Sequence, residues 1–210
     1  MPRAVAVSPD WHEVADLLPA AGSGRFLIGV TGAPGAGKST LAAHLATSYG
    51  AGHVPMDGFH LADVELERRG LRDRKGAPET FDAWGYAALL ARLRAQPDHD
   101  VLAPAFERDL EQPLAGAIAV PPDVGLVVTE GNYLLLDSPE WRAVRAQLDA
   151  VWHLRLDEDL RRARLLARHV AFGKSPAEAE AWVTRVDEPN AALVTAAADR
   201  ADVVLDLSAP

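Results

Sequence analysis

Cysteine is missing altogether from the 210 residues, which excludes disulfides, thiolate metal sites and cysteine nucleophiles. Positive charge is scarce: 21 lysines and arginines stand against 30 aspartates and glutamates, a net charge of −9. A general nucleic-acid binder needs a basic surface to meet the phosphate backbone, so that class is set aside, and only a local basic pocket is still allowed. Long hydrophobic runs are lacking too. No stretch reaches the ~18 apolar residues of a membrane span, and the apolar run within Met1 to Val7 is too short for a signal peptide. Internal repeats and low-complexity tracts are also missing. These absences lead us to expect a soluble cytoplasmic protein with no nucleic-acid partner and no membrane insertion. Hydrophobic residues make up 49% of the chain, enough for a sizeable core. The length fits a single domain over 1–210, with a small lid at about 158–175.

What is present starts with Gly32-Ala33-Pro34-Gly35-Ala36-Gly37-Lys38-Ser39-Thr40, which fits the phosphate-cradling pattern G-x-x-x-x-G-K-[ST]. Phe26 to Val30 runs into it as a buried strand would, and Leu41 to Ala46 follows with helical spacing. The residue types suit the chemistry. Gly32, Gly35 and Gly37 let the backbone turn tightly and bring its N–H groups, with those of Ala36 and Thr40, towards phosphate oxygens. The helix N-terminus adds its positive dipole end. Lys38 reaches the outer phosphates, and the Ser39 hydroxyl is placed to ligate Mg²⁺. A nucleoside triphosphate is the expected ligand.

Around this motif the chain reads as alternating strands and helices. Ser8-Pro9-Asp10 predicts a helix with Ser8 as N-cap, and Trp11, Val14 and Leu18 share its inner face. A second strand is expected to end at Asp57, at the sheet edge where open α/β folds bind ligands. A charge-dense stretch, 65–80, reads as a mobile segment over the site. Tyr86, Leu89, Leu90 and Leu93 mark a helix opened by Phe81-Asp82. Val101 to Arg108 and Ala117 to Val120 are extended and can pair as a hairpin. Gly125 to Gly131 is an apolar strand carrying an acid, Glu130, at its end, the general form of a Mg²⁺-holding element. Helices are expected after Ser138 and after Ser175, with Trp182 in the core. Asp187 to Asn190 reads as a break before a helix from Ala191 to Arg200, and Ala201 to Leu207 as a last edge strand. The fold class is therefore α/β, a three-layer P-loop NTPase arrangement with a mostly parallel five-stranded sheet and a small helical lid.

Taken in order, Gly37-Lys38-Ser39-Thr40, Asp57-Gly58-Phe59-His60, Arg74-Lys75-Gly76 and Glu130-Gly131-Asn132-Tyr133 give a pattern that resembles the phosphoribulokinase/uridine kinase/pantothenate kinase family of P-loop kinases. Within that family it looks most like the short bacterial branch described as nucleoside/nucleotide-kinase-like or fructose-transport-system-kinase-like. The similarity covers most of the chain, from the P-loop through Asp187-Glu188-Pro189-Asn190-Ala191. The P-loop is shared by many NTPases; Met56 to His60 combined with Arg74 to Asp82 is far more specific. The resemblance implies ATP and Mg²⁺ as cofactors, Asp57 as acceptor of the substrate's hydroxyl proton, and Glu130 as an acid near the metal. It also implies a lid that carries Arg161, Arg164 and Arg168, the last two as catalytic arginines beside Lys38. It places His60 and Tyr133 with the substrate, where Arg74, Lys75 and Arg108 can meet an anionic group or merely face water. The chain is much shorter than pantothenate kinases, which favours the small, uridine-kinase-sized architecture.

The function expected is an ATP-dependent kinase for a small-molecule hydroxyl, with a sugar, a nucleoside, a pantothenate-like alcohol or an already phosphorylated acceptor all open. The alternative is a nucleotide-dependent regulatory switch attached to sugar transport; the Asn-Lys-x-Asp element of guanine-specific switches is missing. No coiled-coil seam is readable, so a homodimer stays open.

Overall fold

The computed structural model describes residues 1–20 and 24–208. In chain order it has β1 (Arg3–Ala6), β2 (Phe26–Gly32), α1 (Lys38–Tyr49), β3 (Gly52–Pro55), α2 (Asp63–Arg69), α3 (Ala83–Arg94), β4 (Val101–Glu107) and β5 (Gln112–Val120). There follow β6 (Leu126–Glu130), α4 (Pro139–Arg145), β7 (Ala150–Arg155), α5 (Glu158–Ala171), α6 (Pro176–Trp182), α7 (Glu188–Ala196) and β8 (Val203–Asp206). Six strands form one sheet in the order β1-β8-β7-β2-β6-β3, and every pairing within it is parallel. Parallel strands need crossover helices, which cover both faces and explain why β2, β6 and β7 read as nearly unbroken apolar runs. Among the described residues no helix is long and apolar enough to cross a membrane.

Two cores lie on the two faces of the sheet. One packs Leu27, Val127 and Val151 against α3 and α4 through Tyr86, Leu90, Trp141 and Val144. The other packs Ile28, Val128 and Trp152 against Leu41 and Leu45 of α1 and against Val14. Helix α3 shows how the sequence forces this. Its buried residues Tyr86, Leu89, Leu90 and Leu93 recur at helical spacing, and the Asp82 carboxylate caps its start by accepting from the Gly85 N–H. Each large apolar side chain so buried contributes about 1.5–3 kcal/mol. The expected hairpin is present as β4 and β5, antiparallel and separate from the main sheet, with a register shift between Ala103 and Ala105. Pro104 sits at that irregularity, where a missing N–H is tolerated.

Four expectations are corrected. The sheet has six strands rather than five, because β1 forms an outer strand and β8 is internal rather than an edge. Strand β1 is four residues long and mostly exposed, so it leaves no periodic trace in the sequence. The first helix is a 3₁₀ helix, His12–Leu17, entered through Trp11 at φ 62° rather than capped by Ser8. Glu13 takes both the N–H (3.1 Å) and the hydroxyl (2.9 Å) of Ser8, which closes a loop where a helical turn was expected. Residues Asp187 to Asn190 do not break the chain's helical path: a π turn, Val183–Asp187, joins α6 to α7. Pro189 lacks the N–H that a continuous α-helix would use, and the wider turn carries the backbone past it. The charged stretch 65–80 forms the end of α2 and two 3₁₀ turns, Arg72–Arg74 and Pro78–Thr80, braced by its own ion pairs.

Candidate active site

Three strand ends meet at the carboxyl edge of the sheet. Strand β2 runs into the P-loop, β3 into a 3₁₀ turn Met56–Phe59 that carries Asp57, and β6 ends on Glu130. In the parallel register Val30 and Pro55 both lie beside Glu130, so one level of the sheet brings the three together. Two glycines permit the close approach. Gly35 has φ +85°, and a Cβ there would meet the Leu165 Cγ at 2.8 Å and the Arg161 carbonyl at 3.0 Å. Only glycine lets the loop lie against α5 in that conformation. A Cβ on Gly58 would run into the Pro104 carbonyl, so the Asp57 turn can nest against the hairpin only with glycine there.

The P-loop lysine is buried and donates to the carbonyls of Gly32 (2.9 Å) and Ala33 (3.2 Å). Burial pulls its pKa down to about 8, although Glu130 and Asp57 pull it back up. The Ser39 hydroxyl donates to the Glu130 carboxylate at 3.1 Å. Burial, reinforced by the negative charge of Asp57, pushes the Glu130 carboxyl up to about 7. A buried carboxylate beside a second one is the arrangement a cation relieves. Ser39 and Glu130 offer two hard oxygens, and among the described residues no cluster of three or more His, Asp or Glu side chains could hold a metal alone. That set fits Mg²⁺ taking the rest of its shell from phosphate and water.

Two clefts open on either side of Lys38 and Ser39. The P-loop cleft, about 600 Å³, is lined by Trp11, Gly35, Gly37, Thr40, Leu160, Arg164 and Leu207 among others. The Asp57 cleft, about 480 Å³, is lined by Asp57, His60, Lys75, Glu130, Asn132 and Asn190 among others. Lys38, Ser39, Arg108, Arg168 and Phe172 line both.

Most of the expected site residues therefore gather here, but several do not. Tyr133 is fully buried and its hydroxyl donates to the Gly76 carbonyl, so it props the cleft wall from behind. Arg74 lines neither cleft and pairs with Glu79 at 2.5 Å. Lys75 does line the Asp57 cleft, yet its ammonium is held by Asp63 at 2.9 Å and by the Glu111 carbonyl. Ala36 turns its methyl inward and gives its N–H to the Ala33 carbonyl at 3.0 Å. Gly32 is buried at the floor of the loop. The three arginines of α5 divide. Arg161 is buried, donates to the Pro34 carbonyl at 3.1 Å and pairs with Glu158 and Glu188, so it braces the P-loop. Arg164 and Arg168 are exposed, face the P-loop cleft and make no ion pair among the described residues. His60 gives its Nδ1 proton to the Asp57 carbonyl at 2.9 Å, and burial lowers its pKa, so the neutral ring keeps Nε2 as an acceptor.

Sequence reasoning missed part of the wall. Trp182, expected in the core, is half-exposed and lines the Asp57 cleft with Lys174 stacked at 4.8 Å and Arg185 at 5.7 Å. His169 bonds Asp187 at 2.7 Å and ties α5 to the π turn. Phe106 stands against His60 at 4.8 Å. The only sequence signal for any of these was the Asp187 to Asn190 motif. Trp11, also read as core, is buried but holds a left-handed conformation unusual for a bulky residue and faces the P-loop cleft.

A glycine loop between a parallel strand and a helix, with acids on two neighbouring strand ends, defines an α/β P-loop kinase fold. Comparison narrows the class. No protein-family model matches the chain. It is 36% identical over 174 residues to a provisionally named uridine kinase of Schizosaccharomyces pombe, covering 78% of this chain and 74% of that one. It is 32% identical over 207 residues to the uncharacterized protein YggC of Escherichia coli, covering 95% and 85%. A solved structure from Silicibacter sp. TM1040, provisionally called a fructose transport system kinase, superposes with a TM-score of 0.81 at 41% identity, covering 91% of this chain and 94% of that one. The chain belongs to the phosphoribulokinase/uridine kinase/pantothenate kinase-like family of P-loop kinases.

Proposed function

We propose that the protein is an ATP-dependent kinase that transfers the γ-phosphoryl group to a hydroxyl of a small metabolite. What supports this reading most is the meeting of two clefts at Lys38 and Ser39, one walled by phosphate-binding backbone and the other by Asp57. A regulatory ATPase has no need of the second cleft.

In this reading the triphosphate lies along the P-loop, with its outer phosphates at Lys38 and its charge met by Arg164 and Arg168 on the 158–175 lid. Asp57 orients the acceptor alcohol and takes its proton. The alcohol oxygen attacks the γ-phosphorus, the bond from that phosphorus to the β–γ bridging oxygen breaks, and ADP leaves with the electron pair. Mg²⁺, held by Ser39 and Glu130, would neutralise phosphate charge when bound. Lys38 stays largely cationic at neutral pH, with a pKa of about 8 that the charges of Glu130 and Asp57 help to hold up against burial. His60 Nε2 accepts a hydrogen bond from a second donor group on the acceptor, which favours polyhydroxy compounds such as sugars and nucleosides.

A screen of ADP release across sugars, nucleosides and pantothenate tests the assignment. One class of alcohol should raise turnover well above basal hydrolysis, and Asp57→Asn should remove that rise. Full acceptor-dependent turnover in Asp57→Asn would sink the base assignment.

A further inference from the structure

We propose that Arg108, on the β4–β5 hairpin, contacts the phosphoryl group in flight, completing from the hairpin side the charge that the lid supplies from the other. The proposal rests on the phosphotransfer reading above. Arg108 follows directly on β4, and its side chain borders both clefts at the place where they join. It makes no ion pair or side-chain hydrogen bond among the described residues, in a chain where most arginines are paired. Lys75, which also lines the Asp57 cleft, is spent on Asp63 and Glu111 and so offers little charge to a ligand. The Arg108 guanidinium stands 5.4 Å from the centre of the Phe172 ring, a cation–π contact that links the hairpin to the end of α5. Phe172 itself is largely exposed and borders both clefts. Its place is explained if it holds Arg108.

A guanidinium so placed, free of carboxylates and shared by two clefts, suits a group that is briefly part of neither substrate. Arg108 makes and breaks no covalent bond. It donates hydrogen bonds to the equatorial oxygens of the transferring phosphoryl group, where charge is spread as the leaving and attacking oxygens line up.

The test needs no knowledge of the acceptor. ADP with Mg²⁺, alone or with fluoroaluminate as the planar mimic of the transferring group, is titrated calorimetrically into wild type and variants. In Arg108→Ala the affinity for ADP alone should stay within about twofold, while the tightening that fluoroaluminate brings should fall by about tenfold or more. Retained ADP binding also shows that the variant is folded. Arg108→Lys should recover part of the tightening, and Phe172→Leu should lose a few-fold of it. Arg164→Ala, by contrast, should weaken ADP itself. An undiminished fluoroaluminate effect in Arg108→Ala, or an equal loss for ADP alone, overturns the proposal while leaving the kinase reading intact. Failure of wild type to bind ADP overturns both.

Discussion

The two clefts that meet at Lys38 are built by different means. The P-loop cleft is built around the backbone of one consecutive stretch, the glycine loop and the first turn of α1, with side chains such as Trp11, Leu160 and Leu207 around it and two α5 arginines, Arg164 and Arg168, that make no ion pair among the described residues. The Asp57 cleft is walled by side chains from the Met56–Phe59 turn, the hairpin, β6, α5 and the π turn, and residues of both charges line it. A backbone cradle recognises any polyphosphate of the right shape, so its geometry is shared by many NTPases. A wall of side chains recognises a substrate class through its particular polar groups. Selectivity is written where the chain converges from many places, and general affinity where it is continuous.

Removing one side at a time breaks the comparison most sharply. Lys38→Ala should lower phosphoryl transfer by about 10³-fold and weaken ATP binding by about tenfold, since it removes both charge and positioning. Asp57→Asn should lower acceptor-dependent ADP release by about 10²-fold yet leave ATP affinity within about threefold. Calorimetry with ATP and a coupled ADP assay measure the two effects separately. Equal loss of ATP binding in both variants would show that the clefts are a single site and not two.

The same contrast governs what the sequence could reveal. Phosphate binding was legible because it needs a fixed spacing of glycines, lysine and hydroxyl along consecutive residues, and the apolar runs before Gly32 and Glu130 gave the strands. Asp57 and Glu130 were legible as acids at strand ends. The roles of Tyr133 and Arg74 were not. Both lie inside motifs of the family, but their contacts, to the Gly76 carbonyl and to Glu79, decide that one props a wall and the other neutralises a neighbour. Trp182 fell on the apolar face of a correctly capped helix and still faces a cleft, because the π turn that follows opens that side to Lys174 and Arg185. Strand β1 was invisible for want of any buried side chain.

Acid tests the P-loop side. His153 on β7 pairs in register with Thr31 at the end of β2, is buried, and has an Nδ1 with no hydrogen-bond partner among the described residues. Burial, with the nearby charge of Lys38, holds its pKa down to about 4. The folded ring therefore binds fewer protons than the unfolded one between about pH 6.5 and 4. Its contribution falls as pH drops through that window, by at most about 3 kcal/mol, and is unaffected above it. His153→Leu should show a correspondingly flatter acid limb in urea unfolding at pH 6.5 and 4.5, with little change at pH 8. Parallel limbs in the two proteins would mean that the ring is already solvated.

The smallest expected effect sharpens the Asp57 side. Tyr133 is wholly buried against Trp141 and Phe81, with ring centroids 5.5 and 5.6 Å away, and its hydroxyl bonds the carbonyl of Gly76, a residue of the cleft wall. Tyr133→Phe keeps the packing and leaves the Gly76 carbonyl without that donor, at a cost of about 1 kcal/mol in stability. Gly76 lines the Asp57 cleft and not the P-loop cleft. The lost bond should therefore raise the KM for the acceptor a few-fold while leaving the KM for ATP unchanged, which a kinetic assay at saturating ATP resolves. A change in ATP affinity instead would mean that the wall behind Gly76 supports both clefts, and the division between a backbone-built and a side-chain-built site would not hold at that point.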